Sequence, residues 1–356
     1  MNERISTLSH LILPLLEWFR DNQRTLPWRS DPTPYHVWVS EIMLQQTRVA
    51  AVLGYYRRFM EALPTVADLA QVEEDQLLKL WQGLGYYNRA RNLQKAARQI
   101  MEQFGGQFPR SYPDLLSLAG VGDYTAGAIA SIAFGLPEPA VDGNVLRVVT
   151  RITGDPSDIS QAATKKVIRA ALAEVIPLQA PGDFNQALME LGALVCLPNG
   201  APDCAHCPAH GFCAAHLTGK TAQIPVKGAK KPRKIEEQTV YLLFHCGQVA
   251  LRRRPAKGLL AGLWEFPNEV VGSAESAGWG LDLTQAEVCG VGRHIFTHRE
   301  WHMTGKQLFL ANETLPEGWV WADEKAFCET YAVPNAFSAF LPAVEAYFAQ
   351  WRGGLS

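Results

Sequence analysis

Leu118-Ala-Gly-Val-Gly-Asp-Tyr-Thr-Ala126 is the stretch on which the fold turns. Gly120 and Gly122 stand one residue apart in a segment that joins two short helical runs. Glycine accepts the positive φ of a tight turn and, lacking a Cβ, lets backbone N–H groups approach an anion closely. The helix that follows presents its N-terminus there, with unpaired N–H groups and the positive end of the peptide dipoles. Such a turn can hold a DNA phosphate without reading base sequence. A plain helix–turn–helix corner would use the same glycines, so the segment alone leaves both readings open.

Working outward, apolar residues recur at helical spacing through 6–20, 35–47, 87–104, 123–134, 143–153, 160–176 and 184–196. Strand-like runs begin only near 238, at Thr239-Val-Tyr-Leu-Leu-Phe244 and Lys306-Gln-Leu-Phe-Leu-Ala311, with a last helix expected over 338–350. Between these textures lies Val226-Lys-Gly-Ala-Lys-Lys-Pro-Arg-Lys-Ile235, with five positive charges and no negative one. The expectation is a two-domain chain. An all-α domain spans 1–225, a basic linker 226–235, and a smaller α/β domain 236–356.

At 356 residues the chain can bury two cores. Hydrophobic content of 47% with 19% charged residues excludes a disordered chain. No apolar run is long enough to span a membrane, and the first ten residues lack the pattern of a secretory signal. A cytoplasmic monomer with no membrane partner is the expectation. Net charge of −2 speaks against nucleic acid in sum, while the basic joint offers one face to phosphate. An ordinary solvated linker explains that joint equally well. Of seven cysteines, Cys196, Cys204, Cys207 and Cys213 crowd together, whereas Cys246, Cys289 and Cys328 are scattered. Clustering without a signal peptide points to metal rather than disulfides.

Two acids stand out by their surroundings. Glu41 is the only acid in His36-Val-Trp-Val-Ser-Glu-Ile-Met-Leu-Gln-Gln-Thr47. Apolar neighbours desolvate a carboxyl, raise its pKa and keep a proton available. The bland alternative is a glutamate on the exposed stripe of the helix. Asp142, in Ala140-Val-Asp-Gly-Asn-Val-Leu146, precedes a helical run and suits an N-cap. Capping favours the charged form, so Asp142 is expected to stay a carboxylate. A proton donor beside a stable anion is the pairing that cleaves a glycosidic bond through an oxocarbenium-like state.

The 118–126 segment resembles the helix-hairpin-helix of the base-excision DNA glycosylase superfamily, whose pattern is Leu-Pro-Gly-Val-Gly followed two residues later by Lys or Tyr. Ala119 stands in place of the proline, and Asp123 puts an acid in the turn, where it can cap the next helix. With Tyr124 and Glu41-Ile-Met-Leu-Gln-Gln-Thr47, the chain resembles the MutY-type adenine DNA glycosylases. The resemblance implies monofunctional excision of adenine from double-stranded DNA, opposite 8-oxoguanine or guanine. It makes Glu41 the acid, Asp142 the stabilising carboxylate, Asn144 its orienting partner, and Tyr124 a hydrogen-bond donor to Asp142 or to a sugar oxygen. A lysine at position 124 would form a Schiff base and cut the backbone; a tyrosine cannot. Arg29 is implied to line the adenine pocket, Gln46 and Tyr86 to wedge the duplex beside a flipped base, and Arg89 and Arg91 to contact phosphate. Solvated helix arginines are the alternative for the last two.

The cysteine spacing C-x7-C-x2-C-x5-C resembles the family's [4Fe–4S] loop, C-x6-C-x2-C-x5-C, with one extra residue in Leu197–Asp203. His206, His210 and His216 keep a zinc site open as an alternative. Residues 236–356 resemble the Nudix-like domain of these enzymes, chiefly at Gly258-Leu-Leu-Ala-Gly-Leu-Trp-Glu-Phe-Pro267. No Arg-Glu-x-x-Glu-Glu helix follows to hold magnesium, which implies that hydrolase chemistry is lost. His294-Ile-Phe-Thr-His298 is similar to the family loop that touches 8-oxoguanine. It implies Phe296 as a wedge, with Thr297 and His298 hydrogen-bonding near the lesion. Rival readings are an endonuclease III-like glycosylase/lyase, a Nudix pyrophosphohydrolase with a helical accessory domain, and a DNA-binding scaffold without catalysis.

Overall fold

In the computed structural model, which describes residues 3–228 and 232–354, Leu8, Leu11, Leu15 and Phe19 line one side of the helix Glu3–Asn22. That stripe packs with Val145, Val148, Val149 and Ile152 of the helix Gly143–Thr153 and Phe184, Leu188 and Leu191 of the helix Pro181–Leu194. Spacing of three and four residues brings these side chains to one face, and burying that face stabilises helices that would be marginal alone. The helices Pro34–Leu44, Tyr112–Ser117, Asp123–Ala128 and Ala162–Val175 complete the surroundings of the site.

Two expected helices end differently. The one over 35–47 stops at Leu44, because Gln46 takes a left-handed φ of 59° that no α-helix continues through. The one over 123–134 is α-helical only to Ala128 and then widens into a π-helix, Ile129–Ala133. Gly127 permits this segment its neighbour: a Cβ there would lie 2.3 Å from the Pro139 carbonyl oxygen, in the strand of chain that leads to Asp142.

The contacts divide the chain into Met1–Gln71 with Asn92–Ala229, and Val72–Arg91 with Lys230–Ser356. The division differs from the expected boundary at one place: Val72–Arg91 groups with the C-terminal residues. Its tethers are specific. Lys79 Nζ donates to the carbonyls of Phe327 and Tyr331, at 3.1 and 2.9 Å, and Gln82 donates to Val333 O at 2.8 Å. Arg91 reaches Ala261 O at 2.6 Å, and Arg253 pairs with Asp75. Residues 229–231 of the basic linker lie outside the described residues.

The C-terminal unit is built on a seven-stranded sheet. Its strands are β1 (Lys234–His245), β2 (Gln248–Arg253), β3 (Trp264–Glu265), β4 (Asn268–Val270), β5 (Glu287–Ile295), β6 (Arg299–Phe309) and β7 (Trp319–Ala322). The order is β3-β2-β1-β6-β5, with β4 on β1 and β7 on β2, and β1 runs parallel to β6. Val240, Leu242, Phe244, Trp301 and Met303 pack under Phe337, Phe340, Val344 and Phe348. The last helix, Leu341–Arg352, follows a 3-10 turn, Asn335–Phe340, slightly later than its sequence suggested. After Pro267 come only β4 and a 3-10 turn, Glu275–Trp279, where a Nudix hydrolase needs its acidic helix. Among the described residues, no helix is long and apolar enough to cross a membrane.

Candidate active site

The helix Pro34–Leu44 opens with Thr33 accepting from His36 N–H and proline at its first position, a combination that fixes its start. Seven residues on, Glu41 is buried, at 6% exposure. Burial pushes its carboxyl up to about 7; the Tyr124 hydrogen bond opposes this, nearby Asp142 adds to it, and Arg29 opposes it. Tyr124 stands in the first turn of Asp123–Ala128, and its phenol donates to Glu41 Oε2 and approaches Met189 Sδ at 3.6 Å. The expected partner was Asp142 or a sugar; the structure gives Glu41 instead. Burial holds the phenol well above its usual range, so it stays a donor.

Asp142 caps Gly143–Thr153, accepting from Val145 N–H at 2.8 Å. Asn144 Nδ2 donates to its other oxygen at 2.8 Å, as expected. Burial raises the Asp142 pKa above the ordinary value, against the cap, Asn144 and Arg147, which lower it. A cap favours the anion, yet around this carboxyl desolvation outweighs it.

Several participants carry no sequence signal beyond residue type. Arg147 Nη2 donates to Asn144 Oδ1 at 2.8 Å and its Nε to Cys196 O at 2.8 Å, so one helix ties the Asp142 carboxylate to the cysteine loop. Asn185, fully buried, accepts from Ala140 N–H at 3.0 Å and donates to Glu138 O at 2.9 Å, pinning the approach to Asp142. Glu190, 1% exposed, binds Arg24 and Arg29. Burial raises its pKa, but the two guanidiniums bring it down to about 2. Arg29, expected in a base pocket, is thereby held by Glu190 and by Gln186 at 3.0 Å. Burial, not periodicity, marks these groups.

At the hairpin, Gly120 has φ 74° and a Cβ on it would meet Asn92 at 2.6 Å. Gly120 and Gly122 are exposed, and Gly122 is the N-cap of Asp123–Ala128. Asp123 does not cap; it accepts from the Tyr112 phenol at 2.9 Å. Gln46 is exposed, on a left-handed backbone.

The remaining candidates belong to the C-terminal unit. Tyr86 is 50% exposed and also left-handed, at φ 49°. Its phenol meets Thr297 Oγ1 at 3.3 Å, joining two residues far apart in sequence. Arg89 and Arg91, expected at phosphates, point inward: Arg89 to the carbonyls of Leu84 and Gly85, Arg91 to Glu74 and Ala261. Phe296, Thr297 and His298 form the turn between β5 and β6. Thr297 and His298 are exposed, but Phe296 packs on Trp301 with ring centres 4.8 Å apart, which ties down the expected wedge.

Two family models match this chain: HhH-GPD superfamily base excision DNA repair protein over 39–177, and NUDIX domain over 239–343. The adenine DNA glycosylase of Homo sapiens is 35% identical across 90% of this chain and 71% of its own length. That of Buchnera aphidicola subsp. Baizongia pistaciae is 38% identical, across 71% of this chain and 72% of its own. The chain belongs to the adenine DNA glycosylase family. A thermostable thymine-DNA glycosylase shares the helical fold with a TM-score of 0.54 and 26% identity, over 61% of this chain and 98% of that one.

In this adenine DNA glycosylase family member, the four clustered cysteines line one small pocket, with Arg151, His210 and His216. Leu197–Asp203, with its extra residue, folds back through Asp203 N–H on Val195 O at 3.0 Å, so Cys196 and Cys204 face the same space. Burial pushes the Cys207 thiol up to about 12, and Cys196, Cys213 and Cys204 push the same way. Among the described residues, no three Cys, His, Asp or Glu side chains are grouped so as to hold a metal ion. His206 Nδ1 pairs with Asp203 and His210 Nδ1 with Cys204 O, each at 2.8 Å.

Proposed function

We propose that this protein hydrolyses the N-glycosidic bond of adenine mispaired with 8-oxoguanine or guanine in duplex DNA, without cutting the backbone. The observation that carries the reading is the Glu41–Tyr124 pair beside Asp142: a buried carboxyl poised near neutrality, with a phenol where a lyase needs an amine. Near pH 7 a group with this pKa is partly protonated and partly not, which suits proton transfer. Glu41 protonates the adenine ring, at N7, and makes it a leaving group. Tyr124 holds the Glu41 carboxyl in place. Asp142, kept in orientation by Val145 N–H and Asn144, faces the positive charge that develops on the sugar and stabilises it. Water then completes the hydrolysis.

The outer parts of the reading follow the same geometry. The exposed turn at Gly120 and Gly122 grips a phosphate. Gln46 and Tyr86, exposed on left-handed backbone, fill the space a flipped adenine leaves, a kind of strain that recurs where function requires it. Thr297 and His298 meet the lesion. Cys196, Cys204, Cys207 and Cys213 would hold a [4Fe–4S] cluster, a group whose thiolates each bind a separate iron and so need not converge on one ion. It would order the loop and has no part in bond cleavage.

The deciding assay uses a duplex with adenine opposite 8-oxoguanine. Free adenine and an abasic strand should form, with scission only after alkali. Borohydride trapping of enzyme on DNA through a lysine would refute the reading.

A further inference from the structure

The turn that carries Tyr86 runs through left-handed backbone. Gly83, Gly85 and Tyr86 have φ of 105°, 71° and 49°. Glycines adopt such values freely, whereas a tyrosine resists them. The Tyr86 ring is half open to solvent, so burial does not hold it there. Arg89 does. Its Nη2 donates to the carbonyls of both Leu84 and Gly85, each at 3.1 Å, and Trp81 Nε1 donates to Gly85 O at 3.1 Å. The same guanidinium lies over the Trp81 ring at 5.4 Å and over the Tyr86 ring at 5.5 Å. Burial lowers its pKa to about 10, as suits a cation facing protein rather than one offered to phosphate.

We propose that Arg89 is a positioning residue that presets the Tyr86 wedge, fixing its backbone and ring plane before DNA arrives. This rests on the reading of Tyr86 as a wedge. An inserted ring that must first be ordered takes that entropy out of binding, and a preset one does not. Only a planar guanidinium can bond to two carbonyls while stacking on two rings; a lysine supplies the charge without the fork.

The test uses the intact protein with Arg89→Lys, Arg89→Gln and Tyr86→Ala. Three quantities are measured: the preference for 8-oxoguanine over guanine opposite adenine, the salt dependence of binding to undamaged duplex, and the emission of 2-aminopurine placed beside the lesion. Both Arg89 variants should lose at least about tenfold in preference, the scale of one charge-assisted hydrogen bond. They should also lose the emission rise that reports unstacking, yet keep their affinity and salt slope for undamaged duplex. On a Tyr86→Ala background the same changes should add nothing. Rescue by lysine, or a Gln variant that weakens all duplexes alike with a salt slope smaller by about one, would make Arg89 a phosphate contact and overturn the inference. Should the Gln variant fail to fold, the Lys variant alone separates the two models. If Tyr86→Ala keeps full preference, the wedge reading falls and this inference with it. If Tyr86→Ala loses preference while both Arg89 variants keep it, only the inference falls.

Discussion

Glu41 joins activity and stability in one side chain. Its pKa rises from 4.5 unfolded to about 7 folded, so the folded state favours the proton. The stabilisation is complete below pH 4.5 and is lost as pH rises through 7, amounting to about 3 kcal/mol for a shift of this size. Glu41→Gln should therefore release almost no adenine while melting higher than the native protein. Thermal melts should show that gap widening from pH 4.5 to 7 and levelling off beyond; a pH-independent gap would refute the shifted carboxyl. Adenine release by the native enzyme should decline on the alkaline side of about pH 7 as the acid is lost. Glu190 titrates the opposite way. Its pKa near 2 makes its ion pairs stabilising above pH 4.5 and lost only as pH falls through 2, so the Arg24–Arg29–Glu190 cluster stays intact wherever Glu41 titrates.

At the scale of elements, the helix Gly143–Thr153 does two jobs along its length. Its N-cap is the Asp142 carboxylate, and Arg147 one turn inside reaches both Asn144 and Cys196 O. Arg147→Met keeps the volume and removes the bonds. Excision should fall at least about tenfold, since a buried carboxylate–amide network loses its outer member. Duplex binding by gel shift should persist, and iron analysis should show poorer retention; full activity would show that Asn144 orients Asp142 without help. Gly127 makes a second, steric prediction. Alanine there places a Cβ 2.3 Å from the Pro139 oxygen, a clash of side chain with backbone that no rotamer relieves. Chemical denaturation should report a loss of about 2 kcal/mol, the range of an overpacked core, together with reduced turnover as Asp142 shifts. These helices were largely legible from apolar spacing. The π-helix Ile129–Ala133 and the early stop before Gln46 were not, since both depend on neighbours distant in sequence.

At the scale of the molecule, the residues proposed for chemistry and those proposed for lesion reading belong to different units. Glu41, Tyr124 and Asp142 belong to the helical unit; Tyr86, Thr297 and His298 belong to the unit built on the sheet. Thr297→Val keeps the shape of the β5–β6 turn and removes its hydroxyl. Competition assays should show a lower preference for 8-oxoguanine over guanine, with single-turnover excision from the guanine mispair unchanged; equal losses on both would place Thr297 outside lesion reading. Without an acidic helix after Pro267, the sheet unit with magnesium should release no pyrophosphate from nucleoside triphosphates.

Residue identity and spacing, through the family resemblance they carry, pointed to the class of chemistry. A phenol at 124 cannot form a Schiff base, four cysteines cluster within eighteen residues, and the segment after Pro267 lacks the Arg-Glu-x-x-Glu-Glu pattern of a hydrolase. These are local properties, written in the order of the chain. Only the tertiary structure decided which groups share a proton, which arginines face protein, and that Val72–Arg91 packs with the C-terminal unit. The Tyr124–Glu41 bond spans 83 residues and the Lys79–Phe327 bond 248. Desolvation depends on every group packed around a side chain, whatever its distance in sequence. That is why the cap at Asp142 is legible in the sequence and the burial that opposes it is not.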